Sequence, residues 1–120
     1  MIQLAIPLLH VTDPVAAEKF YCSGLGFKKT FTYLPFGDNG PYYIGLMRDG
    51  IRIHVSSFPE DGKPGHAIIL IVDDVDALHK EFISKGVDIE LPPTDQSWGN
   101  REMYVNADNN SIRFTQWKNG

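Results

Sequence analysis

The stretch VTDPVAAEKFYCSGLGF, residues 11–27, predicts the end of a strand followed by a capped helix. Asp13 is a good helix N-cap, and Pro14 suits the first helical position. Apolar residues then recur at helical spacing until a glycine, where a helix can end. The stretch VDDVDALHKEF, residues 72–82, repeats the pattern with Asp74 as its N-cap. Two such starts in one short chain indicate a duplicated unit.

The duplication predicts the architecture. Residues 1–58 and 62–118 align at an offset of 61 residues, as between Asp13 and Asp74 or Tyr43 and Tyr104. Each copy reads strand, helix and three strands, so we expect an α+β fold in which two βαβββ modules form curved mixed sheets around a cleft. The expected organisation is a single domain, 1–120, with module one at 1–58, a linker at 59–65 and module two at 66–118.

Hydrophobic alternation and turn residues set the expected elements in more detail. Ala67 to Val72 is almost wholly apolar and is therefore expected to be buried on both faces. Val87 to Leu91 is expected to be a short strand, and Pro92 to Asn100 a polar loop that contains Trp98. The other expected strands are Gln3–Val11, Phe27–Leu34, Tyr42–Met47, Ile51–Phe58, Arg101–Val105 and Ser111–Trp117.

Composition limits the functional classes. The 120 residues carry a net charge of −4 and no basic run, which argues against nucleic acid as a partner. No apolar run is long enough for a membrane span, and no secretion signal is recognisable at the N-terminus. The single cysteine, Cys22, excludes an internal disulfide and fits a reducing compartment, so a cytoplasmic location is expected. Cys22 lies near a helix end, where the dipole disfavours a thiolate, and is expected to be structural.

The chain resembles the vicinal oxygen chelate superfamily, which includes glyoxalase I, extradiol dioxygenases and the fosfomycin- and bleomycin-resistance proteins. The resemblance spans essentially the whole chain and rests on the duplicated units, on residues 11–27 and 72–82, and on the segment SWGNREMYVNADNNSIRF, residues 97–114. That last segment is most similar to the Trp-Gly-x-Arg-Glu ending of bleomycin-resistance-type members. The resemblance implies the glyoxalase-like fold and a small-molecule ligand.

Enzymes of this superfamily hold a divalent metal at four positions, one near the start and one on the last strand of each unit. By the resemblance, these positions hold Ile6, Arg52, Ala67 and Arg113 in this chain. Neither Ile nor Ala can ligate a metal, and a guanidinium has no free lone pair and repels a cation. We therefore expect no metal, no cofactor and no catalytic residue. Arg52 and Arg113 are expected to pair with Glu102 or another carboxylate, because a buried arginine needs a partner.

Three histidines support an alternative. His10 and His54 share strand parity with the family positions, and His66 precedes one of them, so a displaced three-histidine metal site is chemically possible. The chain would then be a metal-dependent lyase, dioxygenase or thiol transferase.

The aromatic residues favour a binding role. Bleomycin-resistance proteins are dimers whose interface grooves stack flat parts of the drug on aromatic side chains. By this resemblance Trp98, Phe36 and Tyr33 are candidate stacking residues. Further candidates for the lining of the groove are Phe31, Tyr43, His54, Phe58 and Arg113. The expected function is binding and sequestration of a flat, partly cationic small molecule by a homodimer. A third alternative is a binder of an unrelated metabolite on the same scaffold.

Overall fold

The computed structural model describes residues 1–118 and contains two compact units. The first unit spans Met1–Pro64, and the second begins at Gly65. Each contains one four-stranded mixed sheet and one helix between its first two strands, as the duplication predicts. None of the helices in this described part is long and apolar enough to cross a membrane.

The first unit contains four strands and helix α1. The strands are β1 (Leu8–His10), β2 (Lys28–Tyr33), β3 (Tyr43–Arg48) and β4 (Ile51–Ser56). Helix α1 (Pro14–Glu18) continues into a π-helical turn, Lys19–Gly24, and a 3₁₀ turn, Pro59–Asp61, follows β4. The sheet order is β1-β4-β3-β2, with β1 parallel to β4 and the other pairs antiparallel.

The predicted helix start is confirmed. The carboxylate of Asp13 accepts hydrogen bonds from the backbone N–H groups of Val15 at 3.0 Å and Ala16 at 3.2 Å. These bonds satisfy N–H groups that have no partner inside the helix. The helix is followed by Leu25, which is fully buried and anchors the turn into β2.

The second unit repeats this order. Its strands are β5 (Ala67–Ile71), β6 (Ile89–Asp95), β7 (Arg101–Ala107) and β8 (Asn110–Gln116), and its helix is α2 (Val75–Ser84). The sheet order is β5-β8-β7-β6, and β5 runs parallel to β8. Asp74 caps α2 through Ala77 N–H at 3.0 Å, as predicted. The rings of Phe82 and Phe114 meet edge to face at 5.1 Å and join the helix to the sheet.

The prediction that β5 is buried on both faces is wrong. Ile68 and Leu70 are half-buried, whereas Ala67, Ile69 and Ile71 are exposed. Within this unit β5 is an edge strand, so only one of its faces packs against the core. An apolar run alone does not distinguish a strand that is buried on both faces from an edge strand with one apolar open face.

The prediction of a loop over residues 92–100 is also wrong in part. Strand β6 continues through Pro92 and Pro93 to Asp95, and the loop that carries Trp98 begins only after it. Because β6 is the edge of its sheet, the missing N–H groups of the two prolines can be tolerated. The pairing of β6 with β7 shifts register on both sides of Leu91, as expected for an irregular edge.

The alignment of the two units needs a correction in the last two strands. The hairpins β3–β4 and β7–β8 each turn over two residues, between Arg48 and Ile51 and between Ala107 and Asn110. The equivalent hairpin positions therefore lie 59 residues apart, as in Arg48 and Ala107, whereas the helix caps lie 61 apart. The second unit has two residues fewer between its helix cap and its hairpin. A constant offset of 61, which aligned Tyr43 with Tyr104, is wrong there.

Candidate ligand-binding faces

Each sheet has a core face and a face directed away from the buried core, which we call its open face. In the first unit Ile44, Leu46, Ile53 and Val55 are fully buried on the core face. Successive side chains alternate between faces, so the intervening residues of these strands share the other face. The open face of the first unit comprises Leu8, His10, Phe31, Tyr33, Tyr43, Gly45, Arg52, His54 and Ser56.

Aromatic rings lie side by side on this first open face. Phe31 and Tyr43 are nearly parallel, with ring centroids 6.0 Å apart, and Phe31 meets His54 edge to face at 5.2 Å. Gly45 lies between them on β3, and a Cβ atom there would collide with the ring of Phe31. The absence of a side chain at Gly45 therefore lets Phe31 lie flat across the sheet. Phe31 nevertheless remains 44% exposed, which leaves ring surface available to a ligand.

His54 is held in its neutral form on this face. Its Nδ1 atom lies 2.7 Å from the hydroxyl of Tyr43, a hydrogen-bond distance. Burial lowers the pKa of His54, and the positive charge of Arg52 lowers it further. Burial also raises the pKa of Tyr43, with a smaller contribution from Asp61. At neutral pH the pair is an uncharged, hydrogen-bonded aromatic surface.

The 3₁₀ turn after β4 adds a further ring to the first open face. Phe58 lies nearly parallel to Tyr33, with ring centroids 6.3 Å apart. The hydroxyl of Ser56 donates to Asp61 at 2.6 Å and accepts from Phe58 N–H at 3.1 Å. These bonds fix the backbone at Phe58, so its ring is positioned rather than free.

The open face of the second unit is polar and charged by comparison. It comprises Ala67, Ile69, Ile71, Glu102, Tyr104, Ser111, Arg113 and Thr115. The carboxylate of Glu102 accepts the Trp98 indole N–H at 2.8 Å and the Tyr104 hydroxyl at 2.6 Å. The bond to Glu102, and then burial, raise the pKa of Tyr104.

Arg113 does not pair with Glu102, contrary to the expectation from the sequence. Its guanidinium lies over the ring of Tyr104, 4.7 Å from the centroid, and its Nε donates weakly to Ser111 at 3.4 Å. Within the described residues no ion pair joins Arg113 or Arg52 to a carboxylate. A cation–π contact stabilises Arg113 in place of the expected salt bridge.

The eight sequence-predicted site residues fall into three groups. Five of them share the first open face, namely Phe31, Tyr33, Tyr43, His54 and Phe58. Trp98 and Arg113 lie around Glu102 and Tyr104 in the second unit. Phe36 stands apart in the loop after β2 and is 73% exposed.

Sequence reasoning did not select Glu102 and Tyr104 as site residues. Both belong to the segment 97–114 that carries the family resemblance. They alternate on β7 with the buried residues Met103 and Val105, and this alternation could have placed them on the open face.

The residues at the family's metal positions do not fit a divalent metal. Arg52 and Arg113 do lie on open faces, and Ala67 lies on the open face of β5. With the corrected register, however, His54 rather than Arg52 is equivalent to Arg113. His54 alone among these positions offers a lone pair, and its Nδ1 is engaged with Tyr43.

The three-histidine alternative finds no geometric support either. Within residues 1–118, no group of three or more His, Cys, Asp or Glu side chains is arranged to hold a metal ion. His10, His54 and His66 therefore do not form such a cluster.

Cys22 is a half-buried free cysteine. Burial raises the pKa of its thiol, and the nearby Glu18 raises it further. The thiol stays protonated at neutral pH, which agrees with the structural role predicted for it.

Comparison with known proteins identifies the relatives of this chain. A family model described as glyoxalase superfamily protein matches residues 1–120. No curated protein matches the sequence. A glyoxalase/bleomycin resistance protein/dioxygenase superfamily member from Sphaerobacter thermophilus is 25% identical, with a TM-score of 0.73 and coverage of 98% of both chains.

Two bleomycin-related structures are also similar. The bleomycin-binding protein from bleomycin-producing Streptomyces verticillus, solved with copper(II)-bleomycin, is 28% identical, with a TM-score of 0.72, and the match covers 98% of this chain and 100% of that one. The bleomycin resistance determinant encoded on transposon Tn5 is 22% identical, with a TM-score of 0.76 and the same coverage, and shows the shared fold.

Proposed function

The chain belongs to the glyoxalase superfamily, and on that premise we propose that it binds and sequesters a flat, partly cationic small molecule without chemical conversion. A bleomycin-type antibiotic is the named form of this ligand. One observation carries the proposal: aromatic rings that are positioned by specific contacts remain exposed on the open faces. Phe31 is 44% exposed and Tyr33 57%, although both stack on neighbouring rings.

Stacked, partly exposed rings are suited to planar ligands. An aromatic ring offers a flat apolar surface with a negative potential on its face, which favours other flat rings and cations. Neutral His54 adds no positive charge to the first face. The net charge of −4 also favours a ligand with a cationic part.

Binding without chemistry follows from the residues at the family's metal positions. Ile6, Ala67, Arg52 and Arg113 supply no metal ligand, and the open faces carry no second metal-binding arrangement among residues 1–118. The proposal therefore assigns no catalytic residue. It is supported by the named ligand of the Streptomyces verticillus relative, which is bleomycin.

The proposal includes a cytoplasmic homodimer. Ile69 is 63% exposed and Ile71 47% exposed on the open face of β5. Adjacent exposed isoleucines are unfavourable in water and support burial against a second copy. The lone, protonated Cys22 supports a reducing location.

Fluorescence titration with bleomycin tests the proposal. The chain has two tryptophans, so Trp117→Phe leaves Trp98 as the only one. We expect bleomycin to quench Trp98 with a Kd of about 1 μM or below, with the drug recovered unchanged. In the wild-type background, Trp98→Ala should abolish the quenching while circular dichroism stays native. Absence of binding by calorimetry as well as by fluorescence would overturn the bleomycin assignment.

A further inference from the structure

Glu102 is a carboxylate that is nearly buried among neutral aromatic donors. It is 6% exposed, and each of its oxygens accepts one hydrogen bond, from Trp98 or from Tyr104. In the described part of the chain, no lysine or arginine forms an ion pair with it. Burial of a carboxylate without a cationic partner is unfavourable, and the equivalent position in the first unit holds Tyr43. The fold itself therefore does not require a carboxylate at this position.

We infer that Glu102 is a positioning residue: it fixes the orientation of Trp98 and enriches the electron density of its indole, so that this face selects planar rings that are electron-poor or cationic. The inference rests on the proposed function, since it specifies which flat rings the protein accepts. It adds a selectivity that neither the sequence nor the relatives assign to this residue.

The geometry of the loop supports the positioning role. Trp98 is 63% exposed, yet its indole N–H is bound to Glu102 at 2.8 Å. The loop is closed at its base by a hydrogen bond from Gln96 N–H to the carbonyl of Asn100 at 2.8 Å. An exposed tryptophan without such an anchor would sample several rotamers and lose that freedom on binding. Fixing the ring in advance lowers the entropic cost of stacking a ligand on it.

The electronic role follows from the charge of the acceptor. A hydrogen bond from an indole or phenol to a carboxylate is charge-assisted and polarises the ring toward a more negative face. Such a face attracts cations and electron-poor rings more strongly. Tyr104 already shows this pairing, because Arg113 lies over its ring at 4.7 Å while its hydroxyl is bound to Glu102. Trp98 is the second ring bound to the same carboxylate, and its face is open to a ligand.

The first experiment tests positioning without any ligand. In the Trp117→Phe background, we would measure the fluorescence anisotropy and acrylamide quenching of Trp98 for Glu102→Leu, Glu102→Gln and a control, Glu90→Gln. Glu90 is exposed on β6, so its replacement should change nothing. Glu102→Leu should lower the anisotropy and increase the quenching, and Glu102→Gln should restore part of the difference, because an amide oxygen still accepts one hydrogen bond. Unchanged Trp98 mobility in both folded variants would overturn the positioning role.

The second experiment tests selectivity with two planar probes, cationic 1-methylquinolinium and quinoline, which is neutral at neutral pH. We expect the wild type to prefer the cationic probe by about tenfold, and Glu102→Gln to reduce that preference several-fold while native circular dichroism is retained. An equal preference in the wild type and Glu102→Gln would overturn the electronic role. If neither probe nor bleomycin binds but Trp98 is still loosened in Glu102→Leu, the proposed function and the selectivity fail and the positioning role stands.

Discussion

The two units have equivalent core faces but different open faces. Ile53 and Ile112 occupy equivalent core positions, and both are fully buried. On the open faces, the equivalent pairs in the corrected register are Tyr43 and Glu102, Gly45 and Tyr104, and His54 and Arg113. The first face is neutral and aromatic, and the second holds a carboxylate, a guanidinium and two hydrogen-bonded rings. The duplicated scaffold has retained the side chains that pack and has changed those that face outward.

This difference places flat apolar contact in one unit and charge in the other. In the first unit Phe31, Tyr43 and His54 contact one another through ring faces and edges. In the second, Glu102 and Arg113 each contact Tyr104, one through its hydroxyl and the other through its ring. A ligand with an apolar planar part and a cationic planar part would match the two kinds of surface.

The largest expected effect tests the equivalence of the two cores. Ile53→Ala and Ile112→Ala should each lower the free energy of unfolding by about 2–5 kcal/mol, because both side chains are fully buried. Urea denaturation measures both. Ile69→Ala is the control, since its side chain is 63% exposed on an open face, and a change within about 0.5 kcal/mol is expected for the isolated chain. A loss at Ile69 as large as that at Ile112 would contradict its exposure.

A smaller effect separates the two hairpins. Asn110 Oδ1 accepts the backbone N–H groups of Gly65 at 3.0 Å and His66 at 3.1 Å. Asn110→Ala should lower the free energy of unfolding by about 1–3 kcal/mol, because these N–H groups lose their acceptor. The equivalent residue of the first unit is Ile51, which is 51% exposed, so Ile51→Ala should have little effect. Equal losses in the two variants would contradict the asymmetry between the hairpins.

The smallest effect is a pH dependence confined to the first open face. Because the pKa of folded His54 lies below its ordinary value of 6.5, the unfolded chain takes up this proton first as the pH falls. The contribution of His54 to stability is therefore fully present above pH 6.5 and decreases as the pH falls toward the lowered pKa. His54→Gln should remove this part of the pH dependence, as measured by thermal unfolding between pH 5 and 8. An NMR titration that gives His54 a raised pKa would contradict the argument.

The sequence was sufficient to predict the elements and the fold. The caps at Asp13 and Asp74 act through local hydrogen bonds, and such signals depend only on neighbouring residues. The exposure of Ile69 was not predictable, because an apolar run has the same appearance in a central strand and in an edge strand.

The candidate site was predicted less completely, for a different physical reason. Five aromatic and histidine residues of the first open face were selected correctly as neighbours, because strand parity brings them together. The identity of Tyr43 and Tyr104 favoured an alignment that the two-residue turns of the hairpins do not allow. The role of Glu102 depends on a loop conformation that brings Trp98 within 2.8 Å, and local sequence patterns do not encode that distance.

One NMR titration tests the central claim, that exposed and positioned rings on the open faces bind a flat ligand without converting it. The Trp98 indole N–H and the His54 ring signals would be followed as metal-free bleomycin is added, with core methyl signals of Ile53 and Ile112 as controls. The account predicts that the Trp98 and His54 signals shift along one common binding curve, that the core signals move little, and that the drug is recovered intact. Unchanged Trp98 and His54 signals at saturating ligand, or a chemically altered drug, would contradict it.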